Sequence, residues 1–189
     1  MWQHSLGTHG GFDPHGHLES LVGEALPRDA VQSEVREASA RMCHPQPLLP
    51  GVEAVLGDAR RLGLARAVAS SSSCGWVEGW LSRRGIRELV QVVVARDDVA
   101  NVKPDPELFL LAARRLGIPA ARCVVFEDSP NGMRAALAAG MRCVAVPNAL
   151  TRPLARPPVD LVLESLEERP LEAVLEAVAA GHAGAGAAG

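Results

Sequence analysis

Short apolar runs alternate along most of the chain with stretches in which apolar residues recur every three or four positions. Runs of this kind are typical of strands buried on both faces of a parallel sheet, and the longer spacing is typical of helices that pack on such a sheet. The alternation predicts parallel β-α-β units with right-handed crossovers, and therefore a doubly wound α/β fold. The predicted strands lie at 64–69, 90–94, 123–126, 142–146 and 161–163, and the last predicted helix lies at 171–180.

The N-terminal quarter of the chain lacks such apolar runs. Asp13 and Pro14 have the residue types of a helix N-cap and a first helical position. Apolar residues at helical spacing, among them Leu21 and Met42, indicate two amphipathic helices, and the proline-rich segment 45–51 is typical of a hinge. We therefore expect a partial helical cap at 1–47, an α/β core at 48–180 and a disordered tail at 181–189.

Two carboxylates, Glu127 and Asp128, directly follow the predicted strand 123–126. In an open α/β sheet, ligands bind beyond the carboxyl ends of the strands. Adjacent acids repel each other unless a cation or a proton relieves them, and oxygen ligands suit a hard ion such as Mg²⁺. The alternative is that Asp128 only caps the helix after Pro130 and that Glu127 is solvated, which is the better interpretation of an isolated acid pair.

Two further corners of the predicted sheet favour a binding site over that alternative. Lys103 precedes Pro104-Asp105-Pro106, a stiff turn before a helix, and a lysine held in this way can act as a point charge for phosphate oxygens. The strand 64–69 ends in four serines at 70–73, whose hydroxyl and backbone N–H groups suit the same anion. A serine run alone is usually a loop and a helix cap. In combination with Lys103 and the acid pair, it indicates an anion site.

These residues resemble the motifs of the haloacid dehalogenase-like superfamily, in its branch with a small helical cap. The resemblance rests on Ser70, on Lys103-Pro104-Asp105-Pro106 and on the segment 125–132 with the alanine-rich helix that follows it. This branch includes sugar-phosphate phosphatases and β-phosphoglucomutase, and the resemblance spans nearly the whole chain. It implies a Rossmann-like core and Mg²⁺-dependent phosphoryl chemistry on a small phosphorylated metabolite.

The resemblance also implies a role for each site residue. Glu127 and Asp128 would hold Mg²⁺, directly or through water. Ser70 would donate a hydrogen bond to a phosphoryl oxygen, and Ser71 beside it would help to hold the anion. Lys103 would neutralise charge on the transferring group.

The chain departs from the family pattern at one essential point. The family opens with a buried strand that ends in Asp-x-Asp, where the first aspartate is the nucleophile and the second is the general acid/base. This sequence contains no Asp-x-Asp, so no residue in it can be assigned to the covalent step. In the family that strand lies centrally, between the strands predicted here at 64–69 and 123–126, so we expect the sheet to lack it. We predict that either the native polypeptide starts further upstream, or a chain without this strand is poorly stable and inactive.

Several other features are interpreted as structural. The segment Arg96-Asp97-Asp98 could be a second metal site, but we expect a loop held by side-chain-to-backbone bonds. Trp76 and Trp80 are expected to serve packing. The histidines near the N-terminus are expected to be solvated, because no cysteine or acid completes a metal site with them. These are His9, His15 and His17.

Composition limits the partners. A net charge of −3, no tyrosine and only three Trp and three Phe give no surface suited to nucleic acid. Four cysteines without a Cys-x-x-Cys pair fit reduced thiols in the cytoplasm. The sequence has neither a leader pattern nor an apolar run approaching ~20 residues, so no membrane is expected. It carries no indication of the oligomeric state.

Three classes of function remain open. The first is a Mg²⁺-dependent phosphatase, with a phosphomutase as a close relative that would interconvert sugar phosphates without net release of phosphate. The second is a non-catalytic phosphate-binding module, which fits a chain without a nucleophile. The third is an unrelated nucleotide-binding domain, which lacks support because the sequence has no Gly-x-Gly-x-x-Gly or Walker-type loop.

Overall fold

The computed structural model of this protein describes residues 13–185, with the side chains up to residue 181. Helices and strands alternate from the third helix onward, as the apolar pattern predicts. In chain order the elements are α1 Pro14–Val22, α2 Arg28–Cys43, α3 Val52–Arg61, β1 Ala67–Ala69, α4 Cys74–Arg83, β2 Val92–Val94, α5 Glu107–Leu116, β3 Val124–Glu127, α6 Pro130–Ala138, β4 Arg142–Ala145, β5 Leu161–Val162 and α7 Leu171–Ala185.

Four of the five strands are shorter than predicted, most clearly β1. Gly63 has a left-handed backbone (φ +68°) and ends the turn after α3, and Leu64 N–H then donates back to Ala59 O at 2.8 Å. Arg66 N–H donates to the side chain of Gln91 at 2.7 Å. Residues 64–66 therefore belong to the end of α3 and to the connection that leads into the sheet. Regular strand pairing begins only at Ala67.

All strand pairs are parallel, but they form two separate sheets. One sheet consists of β1 and β2, and the other has the order β3-β4-β5. Ser70 N–H donates to Val94 O (2.9 Å) and Val146 N–H donates to Glu127 O (2.7 Å). Because the direction of backbone groups alternates along a strand, the N–H and C=O groups of Ala69 and Phe126 point away from these partner strands.

A gap therefore separates β1 from β3. Within residues 13–185, no strand pairing joins these two strands. Helix α5 packs on β1 and β2 and contacts α6, which packs on β3 and β4, so one helical layer covers both sheets. The expected missing central strand corresponds to this gap.

Helices cover both faces of the β3-β4-β5 sheet. On one face α5 and α6 enclose a cluster that includes Phe109, Met133 and Cys143. On the other face α7 packs Val174 and Val178 against Val144 and Leu163. This is the expected doubly wound α/β architecture.

The two cap helices bury little surface against the described residues. Asp13 is the N-cap of α1 and accepts a hydrogen bond from His15 N–H at 3.1 Å, as its position before Pro14 predicts. Leu21 is 70% exposed and Met42 is 66% exposed. The expected apolar faces of these two helices are therefore not packed against other described residues. Residues 1–12 of the predicted cap, with His9, lie outside the described part of the chain.

The last helix is longer than predicted. Helix α7 continues to Ala185, five residues beyond the predicted end at 180. Ala179, Ala180 and Ala183 have the highest helix propensity, which allows the helix to pass Gly181. Residues 186–189 lie outside the described part.

All four cysteines are free thiols, as expected. Cys143 is buried at the centre of β4, and this burial raises the pKa of its thiol to about 12. Among the helices of residues 13–185, none has the length and apolar character needed to cross a bilayer.

Candidate active site

One cavity of about 490 Å³ lies where the carboxyl ends of β1 and β3 meet the turn before α5. All five residues predicted for the site line it, namely Ser70, Ser71, Lys103, Glu127 and Asp128. The structure therefore brings the three predicted corners together. The remaining lining residues are Arg36, Ser72, Ser73, Trp76, Arg96 and Ser129.

Lys103 and Glu127 form a buried ion pair at the floor of this cavity. Their side chains are only 8% and 7% exposed, and Lys103 Nζ donates to Glu127 Oε1. The ammonium also lies 4.6 Å from the centroid of the Phe109 ring, a cation–π contact. The Lys103–Pro104 peptide bond is cis. Lys103 is thus a fixed charge whose position is set by Glu127.

The second oxygen of Glu127 is equally occupied. Glu127 Oε2 accepts hydrogen bonds from Asp128 N–H (3.1 Å), Ser129 N–H (3.1 Å) and Ser129 Oγ (3.0 Å). The carboxylate therefore lies against the N-terminus of α6, where the helix dipole favours negative charge. Glu127 was expected to hold Mg²⁺ with Asp128, directly or through water, and the partners on both of its oxygens favour the form through water.

Gly132 makes this position of Glu127 possible. A Cβ atom on Gly132 would lie 2.0 Å from Glu127 Cδ and 2.1 Å from each carboxylate oxygen. No side chain fits at such distances, so the residue of the first turn of α6 that the carboxylate contacts must be a glycine.

Ser129, not Asp128, caps helix α6. Its hydroxyl accepts a hydrogen bond from Gly132 N–H at 3.0 Å, and Pro130 follows as the first helical residue. The alternative interpretation of the acid pair is therefore wrong on both counts, since Asp128 is not the cap and Glu127 is not solvated.

Asp128 is the carboxylate that remains open to the cavity. Its side chain is exposed, and its one side-chain partner among the described residues is Asn148, whose Nδ2 donates to Asp128 Oδ2 at 2.7 Å. Protein atoms crowd this carboxyl although solvent reaches it, and together with the charge of Glu127 they raise the pKa of Asp128 above its usual range. A cation beside Asp128 would offset both effects.

The donor set fits Mg²⁺ only in combination with a substrate. Mg²⁺ is usually held by one or two carboxylates, several waters and substrate phosphate oxygens. Asp128 supplies one such carboxylate. Residues 13–185 contain no cluster of three or more His, Cys, Asp or Glu side chains that could hold an ion by themselves.

The serine turn presents a hydroxyl to the same cavity. Ser70 Oγ accepts from Ser72 N–H at 3.1 Å, which leaves the hydroxyl proton of Ser70 available for donation. Ser72 O accepts from Arg96 N–H at 3.0 Å, and Asp97 caps α4 by accepting from Cys74 N–H at 2.6 Å. The loop 96–98 is held by side-chain-to-backbone bonds, as predicted.

Four residues near the site were missed by the sequence reasoning. Arg36 reaches the cavity from the cap helix α2, Trp76 from α4, and Arg96 from the loop after β2. Nothing local in the sequence marks Arg36, whereas Trp76 had been interpreted as a packing residue and Arg96 as part of a structural loop. Asn148 comes shortly after the end of β4, and Asp128 comes directly after the end of β3. Because ligands bind beyond the carboxyl ends of parallel strands, Asn148 could have been predicted as a site residue.

The family assignment rests on the match of residues 6–140 to the model of haloacid dehalogenase-like hydrolases. The chain belongs to this family. The resemblance inferred from Ser70, Lys103 and the segment 125–132 is thereby confirmed.

Curated relatives and solved structures of haloacid dehalogenase-like proteins agree with this assignment. The chain is 43% identical over 176 residues to the putative phosphatase YhcW of Bacillus subtilis (strain 168), an alignment that covers 93% of this chain and 80% of YhcW. The crystal structure of CbbY from Rhodobacter sphaeroides in complex with phosphate matches with a TM-score of 0.69 and 35% identity, over 77% of this chain and 68% of that one. A putative β-phosphoglucomutase from Thermotoga maritima matches with a TM-score of 0.74 and 25% identity, over 88% and 79% of the two chains.

Proposed function

We propose that this haloacid dehalogenase-like chain carries the phosphate and metal site of a Mg²⁺-dependent phosphohydrolase of small phosphorylated metabolites. The observation that carries the proposal is the convergence of Lys103, Ser70 and Asp128 on one cavity. A volume of about 490 Å³ suits a small metabolite. The relatives YhcW, named a putative phosphatase, and CbbY, crystallised with phosphate, support the same chemistry.

The residues of this chain would act mainly through charge and position. Hydrolysis of phosphate monoesters needs rate accelerations of up to ~10²¹-fold, so the phosphoryl group must be held and neutralised extensively. Lys103 would neutralise phosphoryl oxygens from a position fixed by Glu127, and Ser70 would donate its free hydroxyl proton to one of them. Asp128 would hold Mg²⁺, which supplies further neutralisation of the transferring group when bound.

The described cavity lining contains no Asp-x-Asp pair for the covalent step. Among the described residues that line the cavity there is no histidine, and no carboxylate besides Glu127 and Asp128. We propose that an Asp-x-Asp strand of the family type fits between β1 and β3, because both strands have unpaired edges and both end at the cavity. Such a strand would deliver its last side chains directly beside Lys103 and Ser70.

The substrate's organic part would contact the cap side of the cavity. Arg36 and Trp76 line this side from α2 and α4. The guanidinium of Arg36 suits a polar or anionic metabolite. We also propose a cytoplasmic location, in which the four free thiols would stay reduced.

Removal of Asp128 tests the proposed function. In a form to which an Asp-x-Asp strand of the family type is added at the N-terminus, we expect Mg²⁺-dependent release of phosphate from at least one member of a panel of phosphorylated metabolites. Asp128→Ala should lower kcat/KM on the order of 10²-fold or more, because one preorganised charge at the transition state is lost. Glu53→Ala, an exposed carboxylate on α3 outside the cavity, is the matched control and should leave the rate unchanged. Phosphate release that needs neither Mg²⁺ nor Asp128 would contradict the proposal.

Two other functions have specific support. The likeness to a putative β-phosphoglucomutase favours a phosphomutase, which would interconvert sugar phosphates without net release of phosphate. The lack of a nucleophile among the described cavity residues favours a non-catalytic phosphate-binding module. That function would be established if the extended form bound phosphate with Mg²⁺ but showed no turnover.

A further inference from the structure

The turn after β4 brings a second polar side chain to the rim of the cavity. Val146 N–H donates to Glu127 O at 2.7 Å, so the chain beyond β4 stays aligned with the end of β3. Two residues later, Asn148 lies beside Asp128 and donates to it at 2.7 Å.

The orientation of the Asn148 amide is fixed by its own turn. Asn148 Oδ1 accepts hydrogen bonds from Leu150 N–H (2.8 Å) and Thr151 N–H (3.2 Å). Asn148 N–H donates in turn to Thr151 Oγ1 at 3.1 Å, and Thr151 is only 5% exposed. Because the amide oxygen is committed to two backbone donors, the NH₂ group must be the end that faces Asp128.

The two adjacent acids are thus held by partners of different charge. Glu127 is paired with the ammonium of Lys103, a group of opposite charge. Asp128 is held by a neutral amide, which fixes one oxygen and leaves the negative charge intact. Its other oxygen, Oδ1, has no side-chain donor among the described residues and remains open to a cation.

We infer that Asn148 is a positioning residue that orients Asp128 for Mg²⁺. This inference rests on the proposed function, since it assumes that Asp128 is the metal ligand. Residues that hold a metal ligand in place typically contribute 10–100-fold to metal affinity. Asn148 would act in this way without touching the metal or the substrate.

The test distinguishes the effect of the Asn148 amide donor on Mg²⁺ binding from the effect of the turn that holds Asn148. Asn148→Ser keeps a side-chain oxygen that can accept from the backbone of the turn, but its hydroxyl is too short to reach Asp128. Thr151→Val is the matched control, because it removes the bond from Asn148 N–H to Thr151 Oγ1 and leaves the amide donor in place. Mg²⁺ affinity would be measured by titration calorimetry on the full chain with inorganic phosphate present throughout, alongside the melting temperature of each variant.

We expect Asn148→Ser to weaken Mg²⁺ binding about 10-fold, and Thr151→Val to bind Mg²⁺ as the unmodified chain does even where it melts earlier. Equal loss of affinity in both variants would show that the turn, and not the amide donor, matters, and would overturn the inference. Unchanged affinity in Asn148→Ser would overturn it as well. A complete lack of Mg²⁺ binding by the unmodified chain in the presence of inorganic phosphate would instead overturn the proposed function, and the inference with it.

Discussion

Replacing Lys103 by methionine is expected to lower the free energy of unfolding by about 3–5 kcal/mol, because it leaves the Glu127 carboxylate buried without a countercharge. Both side chains are less than a tenth exposed, so solvent cannot take the place of the ammonium. A loss of this size is a large fraction of the about 5–15 kcal/mol that stabilises a typical domain. Urea denaturation of the variant and the unmodified chain measures the difference.

The double variant Lys103→Met, Glu127→Gln is the control for this prediction. Glutamine keeps an acceptor oxygen for the N-terminus of α6 but carries no charge, so most of the lost stability should return. Phosphate binding should not return, because the fixed cation is still missing. A single variant that loses less than about 1 kcal/mol, the usual range for an exposed pair, would show that the two groups are not a buried ion pair.

Gly132→Ala is expected to lower the free energy of unfolding by about 3 kcal/mol or more, because the new methyl group displaces the Glu127 carboxylate. A Cβ at 2.0 Å from Glu127 Cδ forces the carboxylate away from the N-terminus of α6 and from Lys103. The substitution should therefore impair phosphate binding as well as stability. Thermal unfolding and calorimetric titration with inorganic phosphate measure the two effects.

Gly79→Ala is the matched control for Gly132→Ala. Gly79 lies inside helix α4 and a Cβ there would meet nothing within 4 Å. Alanine should therefore stabilise the protein by about 0.5–1 kcal/mol through its higher helix propensity. Similar effects of the two substitutions would contradict the role assigned to Gly132.

The position of the site could be predicted from the sequence because it follows from topology. Parallel strands place their carboxyl ends at one edge, so Ser70 after β1 and Asp128 after β3 had to meet there. The gap in the sheet was predicted on a different ground, the family resemblance, because the family has an Asp-x-Asp strand between these two strands and this sequence lacks it. Lys103 was placed correctly through its stiff turn.

The different roles of Glu127 and Asp128 could not be predicted from the sequence. Glu127 and Asp128 are neighbours in sequence, and only the folded geometry decides that Lys103 pairs with the first while Asn148 holds the second. Arg36 was missed for a related reason. On the exposed cap helix α2, helical periodicity gives a cavity-lining arginine and a solvated one the same pattern.

A crystal structure of this chain grown with Mg²⁺ and tungstate, a heavy-atom analogue of phosphate, tests the central claim most directly. The account predicts an anomalous peak for the oxyanion with its oxygens about 3 Å from Lys103 Nζ and Ser70 Oγ, and a metal ion bound to the Asp128 carboxylate. An oxyanion bound elsewhere, with these three side chains facing only solvent, would contradict it.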